Sequence, residues 1–496
     1  MTASPLANWT LILPEIWLLV AACGVLLADL FVTDAQRRPT FWMTQATIAI
    51  YAVLHWMALD ADGTAYGLGG MVVSDPMGHL LALCAALATM VSLAYARPTL
   101  GTRDMLRGEF FTLTLFVLLG IGVMCSANHF LVIYLGLELM SLSLYALVAL
   151  RRDHAISTEA AMKYFVLGAL ASGFLLYGLS MMYGATGSLE IPRVFDAIAQ
   201  GRINREVLVF GIVFVVAGLA FKLGAAPFHM WVPDVYQGAP TAVTLLIAAA
   251  PKFAAFAITI RLLVEGMLGL ATDWQAMFIV LAVASLLLGN VVAIAQTNLK
   301  RMLAYSSIAQ MGFIVLALSA GVVSGNTLSA GNAYSSALFY LLTYVLTTLG
   351  TFGLIMFLSR QGFESEQISD LAGLGRRSPW VAGVMTVFMF SLAGIPPMVG
   401  FFAKLAVIQA LVTTNETLYI GLAVMAVLFS LVGAFYYLRV VKVIWFDDPQ
   451  QTAPVLGAQG VTLLLAANGV AVLVLGPLSG GLLAVCRDAI VRALAG

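Results

Sequence analysis

Long apolar runs, separated by short polar segments, follow one another along the whole 496-residue chain. Each run is about 20 residues long, the length that a helix needs to cross a hydrocarbon core of roughly 30 Å. The alternation of a membrane-spanning β-strand is not visible in these runs. The pattern therefore predicts an all-α polytopic membrane protein with about 14 transmembrane helices. The predicted spans lie near 9–31, 41–59, 76–96, 109–126, 129–150, 158–184, 207–226, 240–263, 275–297, 300–320, 333–359, 379–413, 417–440 and 460–485.

Composition agrees with a membrane protein, since 61% of the residues are hydrophobic and 10% are charged. A soluble protein of this length needs more charge to cover its surface. Net charge is zero and basic runs are missing, so a nucleic-acid partner is not expected. The four cysteines lie far apart without a CxxC or a Cys/His cluster, so we expect neither a zinc site nor an iron–sulfur centre in this chain. Pro14 and Glu15 interrupt the first apolar run, which argues against a cleavable signal peptide.

Basic residues are distributed unevenly between the two sets of alternating loops. One set carries Arg37, Arg38, Arg97, Arg103, Arg107, Arg151, Arg152, Lys300, Arg301, Arg360, Arg376, Arg377, Arg439 and Lys442. The other set carries Arg193, Arg202, Arg205, Arg261, Arg487 and Arg492. Because cytoplasmic loops are enriched in Lys and Arg, the first set is predicted to be cytoplasmic. Both termini then lie on the opposite side of the membrane.

The remaining basic residues are four of the chain's six lysines, Lys163, Lys222, Lys252 and Lys404, and all four fall inside predicted spans. No arginine is clearly placed at this depth by the sequence. Arginine stays protonated in proteins, whereas a buried lysine can give up its proton. This choice of lysine indicates groups that must change charge.

The seventh predicted span carries Lys222 and then breaks, in the stretch VVAGLAFKLGAAPFHMWVPDVYQGAP. Gly224 and Pro227 free backbone carbonyls there, and broken backbone at membrane depth needs protein or a wet cavity around it. We expect the break to give Lys222 polar surroundings. Alternatively, the helix ends at Pro227 and Lys222 reaches the interface. His229, just beyond the break, is either a proton carrier or a structural hydrogen-bonding residue.

A second break lies in the stretch MFSLAGIPPMVGFFAKLAVIQALV, where Pro396 and Pro397 precede Lys404. Lys252, directly after Pro251, lies near the middle of the eighth span and is too deep to reach the surface easily. Paired interruptions in two halves of a chain are typical of inverted repeats around a midplane pathway. We therefore predict two inverted five-helix repeats, with discontinuous helices 7 and 12.

These repeats divide the chain into four parts. The predicted parts are 1–107 with helices 1–3, 108–265 with helices 4–8, 274–442 with helices 9–13, and 443–496 with a loop and helix 14.

Other polar residues inside the spans are candidates for the same pathway. Glu138 lies midway along the fifth span, where it is either a protonated hydrogen-bonding group or one half of a pair that shares a proton with a lysine. Lys163 is either a group at the cytoplasmic end of the pathway or a lysine that reaches the interface. Tyr305, Ser306, Ser307 and Gln310 put hydroxyls and an amide on the tenth span, either to hold bridging water or to bond neighbouring helices.

Six stretches carry a family resemblance: GLELMSLSLYALV, FKLGAAPFHMWVPDVYQGAPT, APKFAAF, NLKRMLAYSSIAQMGF, ISDLAGLGRRSP and SLAGIPPMVGFFAKL. In this order and spacing, over about 110–445, the chain resembles the antiporter-like membrane subunits of respiratory complex I, the NADH:quinone oxidoreductase. Two branches of that family fit less well. Subunit L usually carries a long C-terminal lateral helix, and this sequence stops after the fourteenth span. Subunit M typically has a glutamate where Lys404 stands.

The resemblance implies the fourteen-helix fold with inverted repeats and a role in proton translocation coupled to electron transfer from NADH to quinone. It implies that Glu138 pairs with Lys222, that Lys252 is the central relay group and that Lys404 faces the exit. Lys163 and His229 match auxiliary positions on the polar axis. In this interpretation, Lys252 accepts a proton from the cytoplasmic side and passes it towards Lys404.

The resemblance also implies partners and a location. We expect FMN, the iron–sulfur clusters, NADH and quinone to bind other subunits, with no cofactor and no redox chemistry in this chain. Subunit M, the small membrane subunits and the lipid bilayer are the expected partners. The expected location is the bacterial inner membrane, with both termini in the periplasm.

Three other functions remain compatible with the sequence. A multisubunit cation/proton antiporter uses the same fold and would show sodium-dependent proton flux without redox substrates. A structural scaffold would use the polar residues only to join helices, although four lysines inside spans make that costly. A substrate carrier is the weakest alternative, because the sequence contains no organised ligand pocket.

Overall fold

The computed structural model of the chain describes residues 8–59, 63–201, 203–360, 363–449 and 459–495. Arg202 and part of the predicted 443–496 segment therefore lie outside the described residues. The helices are α1 (Leu13–Asp29), α2 (Arg38–Leu59), α3 (Pro76–Thr102), α4 (Gly108–Cys125), α5 (Phe130–Val148), α6 (Ala155–Thr186), α7 (Ile191–Ala199), α8 (Arg205–Leu223), α9 (Trp231–Gly238), α10 (Thr241–Ala248), α11 (Pro251–Thr259), α12 (Ala271–Ile294), α13 (Leu299–Leu318), α14 (Ala330–Leu358), α15 (Leu374–Arg377), α16 (Pro379–Ala393), α17 (Val399–Val412), α18 (Thr417–Phe446), α19 (Gln459–Val474) and α20 (Ser479–Ala495).

The fold class is confirmed, because a helix or helix pair stands at every predicted span. Eleven helices in the described part of the chain are long and apolar enough to cross a membrane, or up to twelve if α19 and α20, bent by 86°, form one span. The two other predicted spans correspond to α2 and to the short apolar helices α16 and α17. The bend between α19 and α20 was not predicted from the sequence.

Strands are limited, in the described residues, to one hairpin of β1 (Ala65–Gly67) and β2 (Val72–Ser74), paired antiparallel with Tyr66 opposite Val73. Asp75, which follows β2, caps α3 by accepting a hydrogen bond of 2.7 Å from the Gly78 amide. The hairpin therefore fixes the point at which α3 begins.

The two predicted discontinuous helices have the same construction. The first half-helix α8 ends at Leu223, followed by Gly224 at φ 79° and a cis bond between Ala226 and Pro227. The first half-helix α16 ends at Ala393, followed by Gly394 at φ 85° and a cis bond between Pro396 and Pro397. A left-handed residue after the last turn is the usual end of a helix and is most easily adopted by glycine.

The eighth span is also interrupted, where the sequence predicts one continuous helix. Its segments are α10, α11, which begins at Pro251, and a π-helix over Ile260–Gly266. Protein surrounds the whole central part of this span. Lys252 at the start of α11 is therefore placed in the interior of the molecule, away from lipid.

Close backbone contacts join the first two helices of each predicted repeat. A Cβ atom on Gly120 of α4 would lie 2.6 Å from the Gly136 carbonyl oxygen of α5. A Cβ on Gly289 of α12 would lie 2.6 Å from the Ala309 nitrogen of α13. Membrane helices associate through small residues that let their backbones approach, so these glycines fix both helix pairs.

Candidate functional site

Lys252 lies at the first broken helix, although it belongs to a different span. Its side chain is buried, with the residue 2% exposed, and its Nζ donates a hydrogen bond of 2.7 Å to the Leu223 carbonyl oxygen. Leu223 is the last residue of α8, so the ammonium group sits at the negative end of that half-helix. From the sequence we expect the carbonyls freed at this break to surround Lys222. In the structure, the Leu223 carbonyl oxygen instead accepts a hydrogen bond from Lys252.

Lys404 has the same arrangement at the second broken helix. Its Nζ donates to the Ala393 carbonyl oxygen, the end of α16, at 2.9 Å and to Ser430 Oγ at 2.8 Å. A Cβ on Gly394 would lie 2.8 Å from Lys404 Cδ and 3.2 Å from Nζ. Glycine at this position therefore provides both the left-handed turn and the space for the lysine.

Helix ends and hydroxyls, rather than carboxylates, surround these buried amines. Within the described part of the chain, no carboxylate oxygen lies within the 4.0 Å of an ion pair from Lys222, Lys252 or Lys404. Aromatic faces add weaker contacts, with the ring centroid of Trp231 5.9 Å from Lys252 Nζ and that of Phe313 5.4 Å from Lys404 Nζ. A cation held by dipoles and rings, without a fixed counter-ion, is suited to losing and regaining a proton.

Glu138 and Lys222 lie on facing helices, α5 and α8, without forming a direct ion pair. Lys222 Nζ donates to Ser141 Oγ at 2.8 Å, and Ser141 is one turn from Glu138 on α5. Glu138 Oε1 is buried and has no hydrogen-bond partner among the described residues. The structure thus shows the carboxylate and the amine near each other but separated.

Lys163 and His229, the auxiliary candidates, are placed differently. Lys163 is exposed on α6 and forms ion pairs with Glu159 at 2.8 Å and with Asp234 at 2.9 Å. Asp234 also binds Arg301 at 2.8 Å, so these residues form a network at the surface of α6, α9 and α13. His229, in the break between α8 and α9, is partly buried and its Nδ1 has no hydrogen-bond partner in the described structure.

Lys300 is a further buried amine that the sequence places in a cytoplasmic loop. Its side chain is 1% exposed, donates to the Ala239 carbonyl oxygen at 2.8 Å and pairs with Glu366 at 2.9 Å. Because Ala239 directly follows α9 of the first predicted repeat and Lys300 lies on α13 of the second, this hydrogen bond joins the two halves of the molecule.

The polar residues of the tenth predicted span bond directly to neighbouring helices. Ser306 Oγ lies 2.5 Å from Tyr437 Oη, and Gln310 Nε2 donates to Tyr437 Oη at 3.0 Å and to the Leu392 carbonyl oxygen at 3.2 Å. Tyr340 donates to Gln310 Oε1. This network reaches Leu392, the residue before Ala393. The Ala393 carbonyl oxygen accepts the hydrogen bond from Lys404.

Ser307 and Tyr305, on the same span, make different contacts. Tyr344 donates to Ser307 Oγ at 2.8 Å, whereas Tyr305 contacts Arg301 at 5.9 Å and takes no part in the buried network. These residues were expected either to hold bridging water or to bond neighbouring helices. For Ser306, Ser307 and Gln310, the structure shows hydrogen bonds between helices.

Arg261 is a buried charged residue that sequence reasoning missed. The sequence places it in an external loop, but its side chain is 1% exposed and forms ion pairs with Asp75 at 2.6 Å and with Glu265 at 2.7 Å. The expectation that no arginine lies inside a span is therefore wrong. The spacing of Arg261 and Glu265, one turn apart, was the available signal; Asp75 is too distant in sequence to have been connected with them.

A small cavity of about 20 Å³ separates Lys222 from Lys252, with Leu137, Met140, Ala255 and Ile258 on its walls. This volume has room for about one water molecule. In the described part of the chain, no group of three His, Cys, Asp or Glu residues could hold a metal ion. The candidate site therefore consists of amines and hydroxyls in the interior of the molecule.

Comparisons with known proteins identify the family of the chain. Residues 127–430 match the family model described as NADH:quinone oxidoreductase/Mrp antiporter, TM. The chain is 59% identical over 488 residues to NADH-quinone oxidoreductase subunit N of Herminiimonas arsenicoxydans, with 98% of each chain covered. It is 59% identical over 486 residues to the subunit N of Polaromonas naphthalenivorans, with 97% of each chain covered.

Solved structures give the same result at the level of the fold. A chain of respiratory complex I from Thermus thermophilus with bound aureothin superposes with a TM-score of 0.79 at 32% identity, covering 95% of this chain and 98% of that one. A chain of the Mrp complex from Dietzia sp. has a TM-score of 0.82 at 20% identity, covering 96% of this chain and 97% of that one. At 20% identity the likeness concerns the fold alone.

Proposed function

We propose a proton path through a chain that belongs to the family of NADH-quinone oxidoreductase subunit N. The chain is a membrane-arm subunit of respiratory complex I, the translocase that couples electron transfer from NADH to quinone with proton pumping. Subunit N is the branch that the sequence left after subunits L and M were set aside, and that expectation is confirmed. Protons move through this subunit along a relay of buried side chains.

The relay consists of Glu138, Lys222, Lys252 and Lys404. The observation that carries it is the matched position of Lys252 and Lys404, each buried and each donating to the last carbonyl of a broken half-helix. A static hydrogen bond does not need a broken helix, whereas an amine that alternates between charged and neutral forms benefits from a dipole that stabilises the charge without neutralising it. The hydroxyl and amide network of α13 and α18 reaches Leu392, beside the Ala393 carbonyl that binds Lys404.

Glu138 and Lys222 act as the switch of this relay. When the carboxylate approaches Lys222, the pair favours the charged amine. When the two separate, the uncompensated Lys222 cation raises the energy of a proton on Lys252, across a cavity that holds about one water. A few kcal/mol, equivalent to two or three pKa units, is about enough to drive a transfer.

The proton enters from the cytoplasm, reaches Lys252 and leaves the relay near Lys404. Lys163 and His229 are auxiliary groups on the polar axis. Lys163 belongs to its cytoplasmic end, because its ion pair with Asp234 lies beside Arg301, a residue of the cytoplasmic set. The domain division at 1–107, 108–265, 274–442 and 443–496 belongs to this proposal, with one broken helix in each central part.

The surroundings of the subunit are inferred from its family. Subunit M and the small membrane subunits are the neighbours in the membrane arm, and other subunits bind NADH, FMN, the iron–sulfur clusters and quinone. The chain itself carries out no redox step. Its place is the bacterial inner membrane, with both termini in the periplasm. Membership in the subunit N family supports these assignments over the cation/proton antiporter.

The relay is tested with Lys252→Met and Lys404→Met in the whole complex, reconstituted in proteoliposomes. Methionine fills the lysine's volume but cannot bind a proton, so the number of protons pumped per NADH should fall in both variants. Lys442→Met is the matched control, because Lys442 is an exposed lysine paired with Asp447. Normal proton-to-electron ratios in both assembled variants would refute the relay and favour a scaffold.

A further inference from the structure

One helix of the second predicted repeat, α13, forms hydrogen bonds with parts of both broken helices. Near its start, Lys300 donates to the carbonyl oxygen of Ala239, the residue that directly follows α9, at 2.8 Å. Further along, Gln310 donates to the Leu392 carbonyl oxygen, in the last turn of α16, at 3.2 Å. The helix rises about 15 Å between Lys300 and Gln310. It therefore bridges the first broken helix and the second.

The short helix α9 connects α13 with the surroundings of Lys252. At its start, Trp231 donates from Nε1 to the Phe221 carbonyl oxygen, in the last turn of α8, at 2.9 Å. The ring centroid of the same tryptophan lies 5.9 Å from Lys252 Nζ. Arg301 of α13 also binds Asp234 of α9, at 2.8 Å. A shift of α9 thus alters both the helix end and the aromatic face that Lys252 contacts.

Gln310 lies beside the site of Lys404. It binds the Leu392 carbonyl, and Lys404 binds the next one, at Ala393. Tyr340 donates to Gln310 Oε1 and so fixes the orientation of the amide. An amide has no charge to gain or lose, so Gln310 can hold the end of α16 without taking part in proton transfer.

Close packing makes α12 and α13 one rigid unit. The helix α13 is continuous over Leu299–Leu318. A Cβ on Gly289 of α12 would lie 2.6 Å from the Ala309 nitrogen of α13, so the two backbones are in contact. The same unit reaches the first break directly, because Ser285 Oγ of α12 accepts a hydrogen bond of 2.8 Å from the Ala226 amide. Protein interiors packed this closely transmit displacements instead of absorbing them.

We propose that α9 and α13 form a strut that couples the sites of Lys252 and Lys404. Its positioning residues are Trp231, Lys300 and Gln310. When Lys252 gains or loses its proton, its hold on the end of α8 changes, and the strut passes this shift to the end of α16. The strut rests on the proposed relay and links its two lysines, while its own residues carry no proton. Coupling of this kind is reciprocal, so the state of Lys404 acts on Lys252 as well.

Lys300 suits this role because its partners fix its charge. Its Nζ pairs with Glu366 at 2.9 Å in addition to its bond with Ala239. Separating a buried ion pair is strongly unfavourable, so this end of the strut stays attached while the relay changes charge.

A double-mutant cycle in the whole complex tests the strut, with the rate of NADH-driven proton pumping in proteoliposomes as the readout. Lys300→Met and Gln310→Met each remove a donor and keep most of the volume, and we expect each to slow pumping about fivefold. The double variant should also be about fivefold slower, because a strut released at one end already transmits nothing. Distant sites without a shared partner otherwise combine their losses, which would give about 25-fold.

Gln45→Met is the matched control for Gln310→Met. Gln45 is likewise a buried glutamine that donates to a helix carbonyl, that of Met90, at 3.1 Å. It joins α2 to α3, outside both broken helices. Any loss of pumping that it causes should multiply with the loss caused by Lys300→Met.

Two further variants separate positioning from packing. Gln310→His again offers an N–H donor and an acceptor, so it should restore most of the pumping lost in Gln310→Met. Arg301→Gln covers the case in which Lys300→Met does not assemble, because it loosens the same end of α13 at Asp234. We expect a smaller loss from Arg301→Gln, and its combination with Gln310→Met should be no slower than Gln310→Met alone.

The outcomes separate the strut from the relay. Losses that multiply, normal pumping by Lys300→Met and Gln310→Met, or no recovery in Gln310→His would each overturn the strut. The relay survives any of these results as long as Lys252→Met and Lys404→Met lower pumping. Normal pumping by those last two variants would instead remove the relay, and the strut with it.

Discussion

At the scale of single residues, the site is built from cations whose charge is balanced indirectly. Lys252 and Lys404 use helix-end carbonyls, and Lys222 uses the hydroxyl of Ser141. Direct ion pairs are found instead at Arg261 and Lys300. Breaking a buried ion pair is costly, whereas a hydrogen bond to a neutral acceptor is exchanged more easily. Lys222, Lys252 and Lys404 are therefore suited to changing their charge. Arg261 and Lys300 are suited to keeping theirs.

Glu138→Gln is the sharpest test at this scale. Glutamine keeps the size of the side chain but removes the charge that, when it approaches, favours the Lys222 cation. We expect the rate of proton pumping by the assembled complex to fall about tenfold, which corresponds to about 1.4 kcal/mol. The measurement is NADH-driven acidification of proteoliposomes.

Ser141→Ala is the companion variant, because it removes the acceptor that binds Lys222 in this structure. It leaves the carboxylate in place and should therefore slow pumping less than Glu138→Gln. Equal pumping by wild type and Glu138→Gln would show that the carboxylate does not act on the relay.

At the scale of elements, two broken helices present their ends to lysines from other segments. The end of α8 meets Lys252 of α11, and the end of α16 meets Lys404 of α17. In each case a glycine in the left-handed region ends the half-helix. The break is thus what brings a backbone carbonyl to the amine, because carbonyls in the middle of a helix are already hydrogen-bonded.

Gly394→Ala tests this role of the break. A left-handed residue with a Cβ costs about 1–2 kcal/mol, and this Cβ would lie 2.8 Å from Lys404 Cδ. We expect a lower melting temperature of the complex together with reduced pumping, since the lysine must move away from Ala393.

Gly383→Ala, in the same helix, is the control. A Cβ at Gly383 meets nothing within 4 Å. Alanine also favours helix over glycine by up to about 1 kcal/mol, so stability should be unchanged or slightly higher. If both alanine variants behaved alike, the turn at Gly394 would have no special role.

At the scale of the whole molecule, buried polar groups extend through a helical body that is otherwise apolar. The Arg261 cluster, Lys252, the hydroxyl network and Lys404 lie on helices from both predicted repeats and from α3. The hydrogen bond from Lys300 to the Ala239 carbonyl oxygen ties the halves together at the predicted cytoplasmic face. Directed proton movement needs this polar interior to open to the two faces at different points, so the orientation in the membrane is decisive.

Cysteine labelling tests that orientation in sealed, right-side-out membrane vesicles. Leu328→Cys, at a site 89% exposed, should react with a membrane-impermeant maleimide, because its loop belongs to the predicted external face. Arg152→Cys, also at an exposed site, should react only after the membrane is opened. Both variants are made with Cys23→Ser to remove the exposed native thiol. The reverse pattern would invert the predicted topology.

The sequence by itself determined the class of fold, the positions of the spans, both broken helices and the lysines at the centre of the site. These properties depend on local features, namely the length of apolar runs, the placement of Gly and Pro and the cost of charge in lipid. The motifs near Glu138, Lys222, Lys252 and Lys404 supplied the family. The bend between α19 and α20 was missed, although Gly476 and Pro477 at the bend are a local signal for a helix break.

Only the tertiary structure decided which groups meet. Lys252 binds a carbonyl 29 residues away, and Arg261 binds a carboxylate 186 residues away. Hydropathy could not distinguish exposed Lys163 from buried Lys300, or find Arg261 inside the protein, because burial depends on which helix face meets a neighbour. The physical reason is that an amine or guanidinium in an apolar body takes its stability from polar atoms across helix contacts, and a one-dimensional pattern does not specify those contacts.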